Sequence, residues 1–155
     1  REIINLVEKV PTSAMPQRES IDASSYDLPL NIYMYYYNPA TWIWKNILNI
    51  NVTFAAKPEA TDFVMVLHGI KEDYVEFNLL AKTTEPSERY SSKLLSYDIK
   101  EITTLFTDEE KESLKGHEKL KFRIYLKNKG EDGKLSDKAY YVERGEFVNP
   151  LFKQQ

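Results

Sequence analysis

The strongest constraint in this sequence is the alternation of apolar and polar side chains between Leu28 and Ala56. A period of two places successive side chains on opposite faces of a β-strand. The dipeptide Asn38-Pro39 predicts a turn, because proline disfavours helical angles in the residue before it. Two neighbouring antiparallel strands with one face in a core are therefore predicted. Their inward residues are Leu28, Leu30, Ile32 and Met34, followed by Leu48, Ile50, Val52 and Phe54.

Further strand signals follow at short intervals. The almost continuously apolar run Phe63–Leu67 is typical of a central strand buried on both faces or of a strand at a sandwich core. The polar stretch Thr83–Ser92 predicts a loop. Because strands do not alternate with helices, the pattern favours an antiparallel β-sandwich of about seven strands, immunoglobulin- or transthyretin-like in architecture. Additional strands are predicted at Tyr74–Ala81, Lys93–Leu95, Lys119–Lys127 and Ala139–Arg144.

One short helical insertion is predicted at about residues 98–115. Asp98–Glu101 and Thr107–Glu110 each have the spacing of a capping box, in which the first side chain and the glutamate satisfy helix-start amides. These two starts predict two short helices within the insertion. The helix that starts at Thr107 carries acids in its first turn, which suits the helix dipole, and Gly116 follows it as a helix stop.

The 155 residues fit a single domain. Residues 1–27 are interpreted as an N-terminal segment and an irregular connector, which either lies along the domain as a strap or extends as a tether. Residues 28–148 are predicted to form the sandwich. Residues 149–155 are interpreted as a tail that need not be ordered.

Composition and motifs narrow the chemistry. The net charge of −3 gives no electrostatic reason to expect nucleic acid. The absence of cysteine excludes disulfides, thiol nucleophiles and zinc–thiolate sites in this chain. Phosphate-binding glycine loops, a nucleophile elbow and the HExxH motif are also absent. No metal or cofactor is therefore predicted.

The isolated residues that could serve catalysis have simpler interpretations. His68 and His117 have no second ligand at metal spacing, so both are interpreted as structural or surface histidines. The acidic pairs Glu72/Asp73 and Glu131/Asp132 lie in predicted polar loops, where solvated charge is the expected state. No catalytic residue is predicted.

The unusual feature is a cluster of aromatic residues. If the aliphatic set faces the core, then Tyr33, Tyr35 and Tyr37 stand on the opposite face, and Trp42 and Trp44 share one side of the next segment. Tyrosine and tryptophan offer large contact areas with few rotors and are enriched in binding hot spots. Three interpretations remain: another layer covers the rings, a protein partner binds them, or they contact sugar or lipid.

The sequence alone does not determine a function, but it favours a non-enzymatic sandwich that binds or scaffolds another protein. An exported bacterial setting is expected, such as a periplasmic or outer-membrane-anchored lipoprotein subunit of a secretion or surface assembly. The start at Arg1 without methionine suggests processing, and membrane contact is expected only through an anchor upstream of this chain. This placement rests on fold-level analogy.

The alternatives are a carbohydrate-binding module that uses the same rings and a small enzyme with a rim site near His68. An immunity- or inhibitor-type protein is a further option within the binding class. No small-molecule ligand is indicated.

Overall fold

The computed structural model of the chain describes residues 14–18, 21–33 and 39–153. These residues form a two-sheet β-sandwich, which confirms the predicted fold class. The first sheet contains β1 (Asn31–Ile32), β2 (Thr41–Trp44), β3 (Ile47–Ala56) and β6 (Pro86–Asp98). The second contains β4 (Thr61–Lys71), β5 (Tyr74–Thr83), β7 (Lys119–Lys129), β8 (Leu135–Tyr141) and β9 (Phe147–Val148). Helix α1 (Asp108–Leu114) and 3-10 turns at Ala23–Ser25, Pro58–Ala60 and Ile102–Leu105 complete the described elements.

In the first sheet, β3 is the central strand. It pairs antiparallel with β6 along one edge, and with β1 and β2 along the other. The β1–β3 pair confirms the predicted pairing of the two alternating stretches, although the described part of the first stretch is a strand only at Asn31–Ile32. Leu28 and Leu30 are buried, which confirms the predicted inward register at these positions.

The second sheet has the order β4-β5-β7-β8, and β9 also pairs with β7. One pair departs from the all-antiparallel expectation, because β5 and β7 are parallel from Tyr74–Lys121 to Leu79–Leu126. Between these strands the chain crosses to the first sheet as β6 and then passes through the helical insertion. A long crossover of this kind permits parallel neighbours, which a short hairpin does not.

The core lies between the sheets. Alternate residues of β3, β5 and β7 point inward because successive side chains of a strand face opposite sides. The helical insertion adds Ile102, Phe106 and Leu114 to the same core. The largest fully buried side chains include Phe54, Leu48, Ile50, Phe77, Leu79, Phe122 and Ile124.

One strand prediction was confirmed in part and one loop prediction was wrong. The run at Phe63–Leu67 is part of β4, at the end of the sheet order, with Met65 and Leu67 buried in the core and Val64 and Val66 half-buried. It is therefore a strand at the sandwich core and not a central strand buried on both faces. The predicted loop at Thr83–Ser92 is largely strand β6, whose polar side chains face solvent while its main chain pairs with β3. Main-chain hydrogen bonds do not require apolar side chains, so an exposed strand has a weak sequence signal.

The helical insertion is confirmed in position but differs in detail. Thr107 and Glu110 form the predicted capping box, with the Thr107 amide 2.8 Å from the Glu110 carboxylate. The first predicted helix is only a 3-10 turn at Ile102–Leu105. Its predicted cap, Asp98, instead accepts the Lys100 amide at 2.9 Å, which favours a turn over a continuing helix.

The described part of the connector lies along the domain as a strap. The Ala14 carbonyl accepts the Asp98 amide of β6 at 2.9 Å, and Gln17 exchanges hydrogen bonds with Met65 and Leu67 of β4 at 2.9 and 2.7 Å. Arg18 then pairs with Glu110 of α1. The strap therefore connects one strand of each sheet with the helix.

Residues 149–153 of the predicted tail are packed against the domain. Asn149 is buried, and its side-chain amide donates to the carbonyls of Leu114 and His117 at 2.8 Å each. The Lys153 amide donates to the Lys115 carbonyl at 3.1 Å. The tail therefore stabilises the end of α1 by satisfying its last carbonyls.

Candidate functional site

The two tryptophans lie on the outer face of the first sheet. Lys45 and Asn46, between β2 and β3, both have positive φ (49° and 63°), as a tight hairpin turn requires. The hairpin aligns Trp42 with Asn49 and Trp44 with Ile47. Ile43 between them is buried, whereas Trp42 is half-buried and Trp44 is 65% exposed. The prediction that both rings share one side is confirmed, and their role in binding stays a prediction.

Tyr33 borders the same face. Its amide donates to the Asn51 carbonyl at 2.9 Å, and its side chain is half-buried. The preceding residue, Ile32, packs on the core, so alternation turns Tyr33 outward. The other two predicted site residues, Tyr35 and Tyr37, lie outside the described residues.

A groove of about 480 Å³ runs beside the tryptophans. Its position depends on the segment after β8, because the Ile43 amide donates to the Arg144 carbonyl at 2.9 Å and pairs Trp42 with Arg144 in a parallel bridge. This pairing brings Arg144 and Trp42 into the lining of one groove. The groove is lined by Pro39, Trp42, Ile43, Trp44, Asn51 and Arg144.

The groove is positively charged at its rim. Arg144 is the one charged residue among the described residues of its lining, and Lys45 places its ammonium 4.5 Å from the centre of the Trp44 ring. A cation over an indole face is a favourable contact that also orients the ring. An anionic or aromatic ligand group would therefore meet attractive partners here.

Polar and apolar side chains both border the groove on this face. The Asn49 side chain is already engaged, because it accepts the Ser96 hydroxyl at 2.6 Å and donates to the Ile47 carbonyl at 3.3 Å. Leu94, opposite Asn51 on β6, is 48% exposed. Leu94 therefore adds exposed apolar surface beside the polar residues of β3 and β6.

A second cluster, on the outer face of the second sheet, was missed at the level of sequence. Arg123 donates to the Glu76 carboxylate at 2.6 Å, and Tyr125 donates to the same oxygen at 2.8 Å. The guanidinium carbon of Arg123 also lies 4.4 Å and 5.1 Å from the ring centres of Tyr74 and Tyr141. The alternation in β7 predicted that Arg123 and Tyr125 face outward, but only the parallel β5–β7 register places Glu76 beside them.

The carboxyl group of Glu76 is stabilised in its ionised form. Burial alone would raise the pKa of Glu76, but the hydrogen bonds from Arg123 and Tyr125 and the charge of Arg123 outweigh it and hold that pKa below its ordinary value. The hydrogen bond to Glu76 raises the pKa of the Tyr125 hydroxyl. The cluster therefore stabilises the pairing of β5 with β7 most strongly at pH values at which Glu76 is ionised.

We expect Glu76→Gln to lower the free energy of unfolding by about 1–2 kcal/mol at neutral pH, because charge-assisted hydrogen bonds from Arg123 are lost. The folded pKa is depressed, so this contribution is present above the unfolded value and is lost as pH falls through the folded pKa. Urea unfolding of both proteins from neutral to acid pH measures the difference, which should shrink on acidification.

The control for Glu76→Gln is Glu85→Gln, because Glu85 is an exposed partner of Lys57 at 3.3 Å. An exposed pair contributes about 0–1 kcal/mol. A stability difference for Glu76→Gln that stays constant down to about pH 3 would contradict the assigned origin.

The remaining sequence candidates do not assemble into a site. His68 is exposed beside a register irregularity in β4, with its ring centre 6.4 Å from that of Tyr125. Glu131 and Asp132 are exposed in the β7–β8 loop, as predicted. Within residues 14–18, 21–33 and 39–153, no group of three or more histidine and acidic side chains is placed to hold a metal ion.

The fold and its outer faces define a two-sheet β-sandwich, and comparison with known proteins extends this description. No protein-family model matches the chain, and no curated protein matches its sequence. A NigD-like immunity protein from Bacteroides caccae has a similar fold, with a TM-score of 0.55 at 12% identity over 86% of this chain and 66% of its own. A Parabacteroides distasonis structure named as toxin-related has a TM-score of 0.55 at 14% identity over 89% of this chain and 63% of its own.

At these identities the likeness shows the fold alone. This chain spans only 66% and 63% of the length of the two similar structures. No helix within the described ranges is both long and apolar enough to cross a membrane.

Proposed function

We propose that this chain is a non-enzymatic module that binds another protein through the outer face of its first sheet. The observation that carries the proposal is the exposure of the Trp44 side chain. It is 65% exposed next to Trp42, on a strand whose alternate residues are buried. A tryptophan side chain has only two rotatable bonds, so it loses little conformational entropy on binding for the area it buries. Tryptophan is also among the residues that contribute most to protein interfaces.

The names of the similar structures support this class of function. One is called an immunity protein and the other is called toxin-related. An immunity-type role, in which the partner is a protein toxin, is therefore the specific form of binding that we favour. The non-enzymatic part of the proposal is supported by Glu76, because this carboxylate near His68 is engaged by Arg123 and Tyr125 rather than left available as a base.

The expected location is also part of the proposal. We infer an exported bacterial protein, periplasmic or anchored to the outer membrane, and a lipoprotein subunit of a secretion or surface assembly. Both similar structures come from bacteria, which is compatible with this setting. Cell fractionation with an antiserum against the domain should find the native protein in the envelope, and a purely cytosolic signal would contradict the location.

We expect Trp44→Ala to weaken partner binding by about tenfold or more, because truncating a central aromatic anchor typically costs about 2 kcal/mol or more. The stability of the domain should change little, since the ring is 65% exposed. Affinity capture from native cell lysate, followed by titration of the captured protein against both variants, measures the effect.

The matched control is Val148→Ala, at a residue that is 68% exposed on β9 in the other sheet. It should capture the same partner as the unmodified domain. Equal capture by the Trp44→Ala variant would remove the aromatic face from the proposal.

A carbohydrate-binding module that uses the same rings is the second candidate. One observation favours it: the Asn51 side chain, which can hydrogen-bond a sugar hydroxyl, lines the groove together with both tryptophans. A glycan array tests it directly. Specific glycan hits that disappear in the Trp42→Ala variant would favour this candidate over a protein partner.

A further inference from the structure

We infer that the groove beside Trp42 and Trp44 receives an acidic segment of the partner protein and places one of its carboxylates against Arg144. This inference rests on the proposed function and deepens it by naming the chemistry of the partner. It follows from the charge of the groove, the way Arg144 is held, and the mixture of polar and apolar groups nearby.

The charge of the groove is the first argument. Its described lining residues include one cation, Arg144, and no acid, and the ammonium of Lys45 lies over the ring of Trp44. Several cations elsewhere already have carboxylate partners, such as Lys119 with Glu146 and Arg123 with Glu76. Across the described part of the chain, Arg144 takes part in no ion pair with an acidic side chain. On a molecule of net charge −3, the described lining of this groove therefore carries a local positive charge.

The second argument is that the backbone around Arg144 is fixed. The Ile43 amide donates to the Arg144 carbonyl at 2.9 Å, and the Glu143 amide donates to the Thr41 hydroxyl at 3.0 Å. Val142 donates to the Phe122 carbonyl at 3.2 Å. The guanidinium therefore extends from an anchored main chain, and less conformational entropy is lost when it pairs with a carboxylate.

The third argument favours a peptide over a saccharide. A saccharide presents many hydroxyl groups that need hydrogen-bond partners, but the Asn49 amide is already used by Ser96 and Ile47. Among the described lining residues, the hydrogen-bonding side chains are Asn51, Arg144 and the two indole N–H groups, while Trp44 and Leu94 add exposed apolar surface. A peptide that combines a carboxylate with apolar side chains complements this mixture.

The intrinsic fluorescence of the domain provides a direct test, because the only tryptophans of the chain, Trp42 and Trp44, both line the groove. The probes are a hexaglutamate peptide, a hexaglutamine peptide and an oligogalacturonate. We expect a saturable change with hexaglutamate that weakens as salt rises. Arg144→Glu should reduce the affinity by about tenfold, since one attraction is lost and a repulsion is added.

Control variants separate the site from net charge and from folding. Lys134→Glu makes the same change in net charge in the exposed β7–β8 loop and should bind hexaglutamate like the unmodified domain. Arg144→Lys should retain most of the affinity. If Arg144→Glu does not fold, Arg144→Gln replaces it, with a smaller expected loss of about threefold.

Three results would overturn the inference: equal responses to hexaglutamate and hexaglutamine, unchanged affinity in both Arg144→Glu and Arg144→Gln, or a response to oligogalacturonate alone. Its failure is distinguishable from failure of the proposed function. A protein captured through Trp44 but held equally well by Arg144→Glu would overturn the acidic segment and leave protein binding intact. Absence of any Trp44-dependent protein would count against protein binding itself.

Discussion

Replacing Gly145 with alanine is expected to lower the free energy of unfolding by about 3–5 kcal/mol, because backbone strain and a steric clash add together. Gly145 has a φ of 91°, a conformation that residues with a Cβ rarely adopt. A Cβ at this position would also lie 2.1 Å from the Ile43 carbonyl oxygen. That oxygen belongs to backbone in a paired strand, so it has little freedom to move.

The clash would also disturb the candidate site. The Ile43 amide donates to the carbonyl of Arg144, the residue before Gly145, and this hydrogen bond fixes the main chain of Arg144 at the groove. We therefore expect Gly145→Ala to reduce both stability and binding at the groove. Urea unfolding and tryptophan fluorescence of the folded variant measure the two effects separately.

The control is Gly133→Ala. Gly133 also has a positive φ, at 79°, but a Cβ there would meet nothing within 4 Å. Only the backbone strain remains, which costs about 1–2 kcal/mol. Equal losses at the two glycines would show that the contact with Ile43 is unimportant.

The second large effect is expected from Phe122→Ala, which should lower the free energy of unfolding by about 3–5 kcal/mol through lost burial and a cavity. Phe122 is 2% exposed in β7. Its ring stacks on Phe77 of β5 with centres 6.0 Å apart and meets the edge of Phe147 of β9 at 5.7 Å. Removing it would cost both neighbours their ring contact with Phe122 in the core of the second sheet.

Urea titration measures this loss as a lower midpoint with an unchanged slope. The control is Leu135→Ala in β8, because Leu135 is 41% exposed and such surface changes typically stay within about 0.5 kcal/mol. A loss below about 1 kcal/mol for Phe122→Ala would mean that the core closes around the vacancy.

Features of the structure that depend on neighbouring residues could be predicted from the sequence. The inward set of β7, Leu120, Phe122, Ile124 and Leu126, was predicted correctly because side-chain direction alternates within a strand whatever its neighbours are. The capping box at Thr107 was also predicted correctly, because its hydrogen bonds connect residues only three positions apart. The shared face of Trp42 and Trp44 belongs to this group as well.

Contacts between distant parts of the chain could not be predicted from the sequence. The exposed strand β6 pairs with β3 through its main chain, which leaves no apolar pattern in residues 86–94. The ion pair between Glu76 and Arg123 needs a parallel register that two alternating sequences do not specify. Arg144 comes beside Trp42 only because a segment about a hundred positions later crosses the edge of the first sheet.

The sequence by itself therefore determined which side chains of a strand face the core and which face water, because that choice depends on backbone geometry and the burial of apolar area. Only the tertiary structure decided which strands are neighbours, and with them the composition of the groove. Strand pairing is made by main-chain hydrogen bonds that are nearly the same for every residue type, so many registers satisfy one pattern until the whole core is packed.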